Sequence, residues 1–283
     1  MLSTVKVDWF TGVSKYAKAH PFPLSQDNYA FVPHKGWSGY DVGERELNTD
    51  IKRYSSTTRE DMGYAIVISG GSLDRLAEMD TTGNLLAKMW SDGLREYRCS
   101  RLDLAVDIYD GGLLAHKVAR AARRDVIKTS ARTISVIEQQ RGGQGITTYI
   151  GTRESARFIR VYDKNAESGG KISASRFELQ ANKEFAAELW RGITHPDQSR
   201  LNALAYAAIA GLVSDWGDES ANEQMQFIVS SKPSPKPEPS DDAWNWIAKQ
   251  VLPTLTRDFY LNGEGQHTLL HRLTAAIKRG DTE

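Results

Sequence analysis

Three short stretches of this 283-residue chain place charged side chains at alternate positions with apolar ones between them. In Arg101–Asp107, residues Arg101, Asp103, Ala105 and Asp107 fall on one side of an extended chain, and Leu102, Leu104 and Val106 on the other. In Phe158–Lys164, Arg160, Tyr162 and Lys164 share a side opposite Ile159 and Val161. In Ser175–Gln180, Arg176, Glu178 and Gln180 share a side opposite Phe177 and Leu179. Laid together in one sheet, these strands would bring Asp103, Asp107, Glu178 and Tyr162 onto a common open face. Carboxylates grouped in this way suit a hard divalent cation. A tyrosine flanked by Arg160 and Lys164 suits a nucleophile, because nearby cations favour the phenolate and can hold a phosphate. A metal ion beside it would polarise a phosphoryl oxygen and stabilise the transition state. The pattern has a plainer reading too: the outer face of an antiparallel sheet is ordinarily polar, and cross-strand Arg–Asp pairs stabilise it modestly. Periodicity alone leaves both readings open.

Positioning these residues requires a sheet, and the surrounding sequence predicts one. Val5–Phe10, Tyr64–Ser69, Arg101–Tyr109, Thr133–Gln139, Gly145–Ile150, Phe158–Lys164 and Ser175–Gln180 read as strands. Leu73–Met79, Leu85–Tyr97, Leu113–Arg124, Asn182–Arg191 and Leu201–Val213 read as helices. Short glycine-containing connections such as QRGGQG and GTRES favour hairpins. The expected fold is therefore α+β, a central antiparallel or mixed sheet with helices packed on one face. The alternate prolines Pro233, Pro235, Pro237 and Pro239 make an extended linker. The expected organisation is a main domain over 1–230, a linker over 231–242 and a short helical tail module over 243–283.

Thirty-six basic and 36 acidic residues balance, which excludes a uniformly cationic coat and leaves local segregation of charge as the route to nucleic acid. The densest positive stretch is Lys117, Arg120, Arg123, Arg124, Lys128 and Arg132, around the helix at Leu113–Arg124. It reads as a phosphate-contacting surface or as a solvated helix face. Trp37 and Tyr40, in KGWSGYDVG, either stack unpaired bases or close a small core. One cysteine excludes an internal disulfide framework. Neither a leader-like apolar run at the N-terminus nor a span-length apolar stretch is present, so the chain is read as cytoplasmic with no membrane partner.

Four segments in order carry a resemblance: YAIVISGGSLDRL (Tyr64–Leu76), RLDLAVDIYD (Arg101–Asp110), TTYIGTRESARFIRVYDKNAES (Thr147–Ser168) and SRFELQANKEFA (Ser175–Ala186). Together they resemble the replication initiation factor family of rolling-circle plasmids and filamentous phages, which includes some conjugative relaxases. The resemblance spans about Val5 to Val213 and leaves out the linker and tail. It implies a fold related to the HUH-type nicking endonucleases. It implies nicking of one DNA strand at an origin by metal-dependent transesterification, with the 5′ phosphate left on tyrosine. On that pattern Tyr162 is the nucleophile. Asp103 and Glu178 are metal ligands, Asp107 is a weaker third, and Lys164 and Arg160 contact the scissile phosphate. Mg²⁺ or Mn²⁺ is the implied cofactor. Single-stranded or cruciform origin DNA, a separate helicase and a second copy of the chain are the implied partners; the tail with Trp244 and Trp246, outside the resemblance, is expected to dock on the main domain, a second copy or a partner.

This chain departs from the wider nuclease superfamily in one respect: none of its six histidines forms a His-x-His pair. His116 lies beside the basic helix and is not expected to be a ligand. Tyr149 and Tyr109 remain alternative nucleophiles. Alternatives to the replication initiator are a conjugative relaxase with the same chemistry, a metal-dependent nuclease that uses water, and a DNA-binding regulator without catalysis. No nucleotide-binding motif of the G-x-x-x-x-G-K-[ST] type is present, so strand separation would need the separate helicase.

Overall fold

The protein is described here from a computed structural model that defines residues 3–15, 30–79, 94–138, 145–193 and 198–230. The chain divides into two compact units, Met1–Pro233 and Ser234–Glu283. The expected linker and tail module, and most of the helix expected over Leu85–Tyr97, lie outside the described residues.

The strands are β1 (Ser3–Ser14), β2 (Phe31–His34), β3 (Val42–Glu46), β4 (Lys52–Ser55), β5 (Tyr64–Ser69), β6 (Arg98–Ile108), β7 (Lys128–Thr129), β8 (Ile134–Glu138), β9 (Ile146–Ile150), β10 (Arg157–Asp163), β11 (Ser175–Asn182) and β12 (Val213–Asp215). The α-helices among the described residues are α1 (Gly70–Met79), α2 (Leu113–Arg123), α3 (Lys164–Glu167), α4 (Lys183–Ile193), α5 (Gln198–Ala210) and α6 (Glu219–Ser230).

Ten strands form one sheet in the order β2-β3-β4-β5-β1-β6-β11-β10-β9-β8, and β7 and β12 pair separately. Every neighbouring pair is antiparallel. Meanders over β2–β5 and β8–β10 flank a centre built from non-consecutive strands. That centre is β1, β6 and β11, paired across long stretches of sequence.

The alternation read from the sequence holds on the central strands. Leu102, Leu104, Val106, Phe177, Leu179, Ile159 and Val161 turn to one side and join a single core with Leu114, Val118, Trp190, Tyr206 and Ile209 from α2, α4 and α5. The tilted rings of Phe10 and Trp190 lie 4.6 Å apart, and Phe177 meets Trp216 edge-on at 5.0 Å. Burying such aromatic side chains dominates the energetics of a core. Helix α2 follows from its own spacing: Leu114, Ala115, Val118, Ala119 and Ala121 are buried on one face, while His116, Arg120 and Arg123 are exposed on the other.

Asp110 anchors the start of α2. Its carboxylate accepts from the backbone N–H of Gly112 and Leu114, and from both the backbone N–H and the hydroxyl of Ser175. One acid thus starts a helix and ties it to β11.

A second, smaller cluster of Tyr40, Tyr54, Ala65 and Val67, with Trp9, Val13 and Met62 against it, forms at the β2–β5 end. Tyr40 therefore closes a small core. Trp37, ring to ring with Tyr54 at 5.3 Å, remains 43% exposed.

Candidate active site

Register decides which of the polar residues meet. On the β10–β11 pair, Arg160 lies opposite Glu178 and Tyr162 opposite Arg176. On the β11–β6 pair, Arg176 lies opposite Asp107, Glu178 opposite Ala105 and Gln180 opposite Asp103. Ala105 has no bulk above its methyl group, so space remains beside Glu178. The face is not open, as the alternation suggested. Asp103, Glu178 and Arg176 are each 3% exposed or less.

A pocket of about 390 Å³ opens over this region, lined among others by Asp8, Asp103, Glu178, Arg160, Tyr162 and Lys164. Arg101 holds Asp103 through two bonds of 2.9 and 2.6 Å. Arg160 bridges two acids, donating to Glu178 and lying 3.6 Å from Asp103. The Tyr162 hydroxyl donates to the other oxygen of Glu178 at 3.2 Å. Lys164 begins α3, a turn capped by Asp163, and its ammonium sits 5.9 Å from the centre of the Tyr162 ring. It also pairs with Glu167 at 2.6 Å.

Asp107 is placed differently. Arg176 takes both of its oxygens, at 2.6 and 2.7 Å, and reaches Asp8 at 3.1 Å. Asp107 does not line the pocket. Neither Tyr109 nor Tyr149 lines it either: Tyr109 is 41% exposed, and Tyr149 stacks on Phe158 at 5.8 Å. His116 faces Asp163 at 3.2 Å, away from Asp103 and Glu178.

Asp8 is the residue that sequence reasoning missed. The β1–β6 register shifts between Val7 and Trp9, so Val7 pairs with Leu104 and Trp9 already with Asp103. This bulge leaves Asp8 without a partner across the ladder and adds Trp9 to the pocket side that alternation already gives to Lys6 and Asp8. Gly70, at the start of α1, makes room for it: a Cβ there would lie 2.7 Å from Asp8 Oδ1.

The electrostatics are those of crowded acids. Burial pushes the Glu178 carboxyl above its ordinary range, the Arg160 charge opposes this, and Asp8 and Asp103 push it further up. Asp103 is raised in the same way, by burial against the pull of Arg101 and Arg160. Tyr162 is raised far above an ordinary phenol, first by burial and next by Glu178, with Arg176 opposing. The resting side chain is therefore a neutral phenol, which corrects the expectation that neighbouring cations would favour its phenolate.

The donor chemistry is of the kind a hard divalent cation takes, carboxylate oxygens on β6 and β11 beside a third acid on β1, each now facing an arginine. Yet among the described residues no three His, Cys, Asp or Glu side chains converge closely enough to grip an ion. The space between Asp103 and Glu178 is filled by the Arg160 guanidinium.

The basic stretch lies across the sheet from this pocket. Helix α2 packs on the apolar face through Leu114 and Val118, against the same core as Ile159 and Val161. Its cations are not all free: Arg123 pairs with Glu138, Lys128 with Asp215, and Lys117 donates to Ser220. Arg120, Arg124 and Arg132 are exposed.

The comparisons with known proteins agree with this architecture. A solved structure of the rolling-circle replication initiator protein from Geobacillus stearothermophilus superposes with a TM-score of 0.61 at 21% identity, over 75% of this chain and 86% of that one. At that identity the likeness speaks for the fold. Among curated proteins no sequence matches. The sequence matches the replication initiation factor family over residues 97–273, reaching past the linker into the tail that the motif resemblance left out, while β1 and its Asp8 precede the matched region. This chain belongs to the replication initiation factor family and has the fold of a rolling-circle initiator.

Proposed function

We propose that the protein nicks one strand of origin DNA through Tyr162, leaving a 5′-phosphotyrosine adduct and a free 3′ hydroxyl. The observation that carries this reading is the hydrogen bond from the Tyr162 hydroxyl to Glu178, inside the pocket shared with Asp103, Arg160 and Lys164. A phenol with so high a pKa needs a base. Glu178, itself raised by burial, is suited to receive the proton. The phenolic oxygen then attacks phosphorus, the bond from phosphorus to the 3′ oxygen breaks, and the proton that Glu178 takes up balances the one the 3′ oxygen acquires.

Lys164 and Arg160 are assigned to the phosphate oxygens. Asp103 and Glu178, with Asp8 beside them, are assigned to Mg²⁺ or Mn²⁺. When bound, such an ion stabilises the charge that develops on the phosphoryl group. Asp107 is assigned to fixing Arg176 rather than to the ion. The arginines of α2 are assigned to a DNA segment on the far side of the sheet from the cut strand.

The test is to incubate the protein with labelled single-stranded origin DNA and Mn²⁺, then to look for a denaturant-stable adduct and map the modified residue. An adduct on Tyr162 supports the reading. Cleavage with no adduct would make the protein a water-using nuclease, and binding with no cleavage a regulator.

A further inference from the structure

We propose that Arg160 is a resident counter-ion that holds the metal position closed, and that cation loading releases it to the scissile phosphate. The proposal rests on the metal-dependent part of the reading above.

Three observations support it. First, Arg160 holds no carboxylate by both oxygens and divides itself between two acids, donating to Glu178 and approaching Asp103 at 3.6 Å. Arg101 holds Asp103 by both oxygens, and Arg176 holds Asp107 by both oxygens while its third nitrogen reaches Asp8. Second, the Arg160 Nε–H is buried with no acceptor, so its present seat leaves one donor unmet. An unmet buried donor lowers the cost of leaving that seat. Third, removing the guanidinium would take away the charge that now lies between Asp103 and Glu178, in the pocket that Asp8 also lines. A dication between Asp103 and Glu178 restores that balance with one more positive charge than an arginine supplies. The displaced side chain still lines the pocket and carries the fork geometry that suits a phosphate. The same side chain thus neutralises the acids at rest and the phosphate during reaction.

The test is Mn²⁺ binding by calorimetry, with no DNA present, on the full chain and on Arg160→Met and Arg160→Lys. With the competing charge gone, Arg160→Met should bind Mn²⁺ at least about tenfold more tightly than the unaltered chain, the size of change that groups around a metal site typically produce. Its thermal midpoint should be lower without metal and recover more on adding it. Arg160→Lys keeps a cation on a flexible stem and should fall between the two, which guards against a misfolded Met variant. Equal or weaker Mn²⁺ binding in both variants would overturn the proposal. Absence of Mn²⁺ binding in all three proteins would sink it together with the metal site. Normal Mn²⁺ binding with no tyrosine adduct would count against the nucleophile alone.

Discussion

Two arginine–carboxylate groups sit on the same pair of strands, and they are built differently. At one end of β6 and β11, Asp107 gives both its oxygens to Arg176. At the other, Arg160 divides itself between Glu178 and Asp103, Glu178 divides itself between Arg160 and Tyr162, and Arg160 keeps an unmet N–H. Both groups are buried and use the same residue types. The first is fully satisfied, two nitrogens of Arg176 meeting Asp107 and the third Asp8, as expected of a structural tie. The second is frustrated, with its acids pushed upward and its tyrosine held by a single bond. Frustration of that kind, inside a pocket, marks groups whose partners are expected to change.

The contrast can be broken by substitution. The largest effect is expected for Tyr162→Phe: adduct formation should fall at least about ten-thousandfold, as when a covalent nucleophile is removed, with DNA binding retained in a mobility-shift assay. Persistence of the adduct would move the nucleophile elsewhere. Glu178→Gln should lower the nicking rate by about a hundred- to ten-thousandfold, the usual contribution of a positioned base. A rate within a few-fold of the unaltered protein would remove Glu178 from proton transfer.

At the closed end the effect should appear in stability. Asp107→Asn leaves the buried Arg176 guanidinium with Asp8 as its remaining carboxylate, and breaking a buried pair ordinarily costs up to about 3–5 kcal/mol on chemical denaturation. Mn²⁺ affinity should stay unchanged, and a large drop in it would return Asp107 to the ligand set.

Acidity should separate the two ends as well. Glu178 is raised above its ordinary 4.5. Nicking that needs its ionised form should therefore decline on acidification at a higher pH than a free glutamate would impose. For the same reason the metal-free fold, which holds protons that the unfolded chain releases, should lose stability as pH rises through that raised value. Added Mn²⁺ should reverse the loss, and a metal-free stability that is flat over this window would contradict the crowding of the acids.

The smallest effect is expected across the sheet. Neutralising Arg120, Arg123 and Arg124 together should flatten the salt dependence of DNA binding by roughly two to three logarithmic units of slope. An unchanged slope would leave α2 a solvated face.

Much of this was legible in the sequence, because the central strands alternate cleanly. Leu102, Leu104 and Val106 against Asp103 and Asp107 set the two faces of β6, and the boundaries of β5 and β9 follow from their apolar runs and glycines. Partnership was not legible. Asp103 and Asp107 are equivalent by alternation, and only the register of β11, set by contacts some seventy residues distant, gives one of them to Arg176. Asp8 falls on the Lys6 side of VKVDWF, opposite Val5 and Val7, by alternation alone, but that reading puts Phe10 beside it and nothing in the sequence pairs β1 with β6. The bulge reverses that parity, burying Phe10 and turning Trp9 to the pocket. Strands β2–β4 escaped notice because they are short and charged: Val42–Glu46 and Lys52–Ser55 hold together by pairs such as Arg53 with Glu44, and not by a buried stripe.

The order of the large sheet places β1, β6, β11 and β10 well inside both of its edges. Backbone amides in such strands exchange with solvent only through cooperative opening of the whole domain. The frame that carries Asp103, Tyr162 and Glu178 therefore cannot fray locally into a half-assembled site. Hydrogen exchange should find these amides among the slowest in the molecule, with or without DNA, so that a bound strand is accommodated by side-chain rotation over a scaffold that stays still.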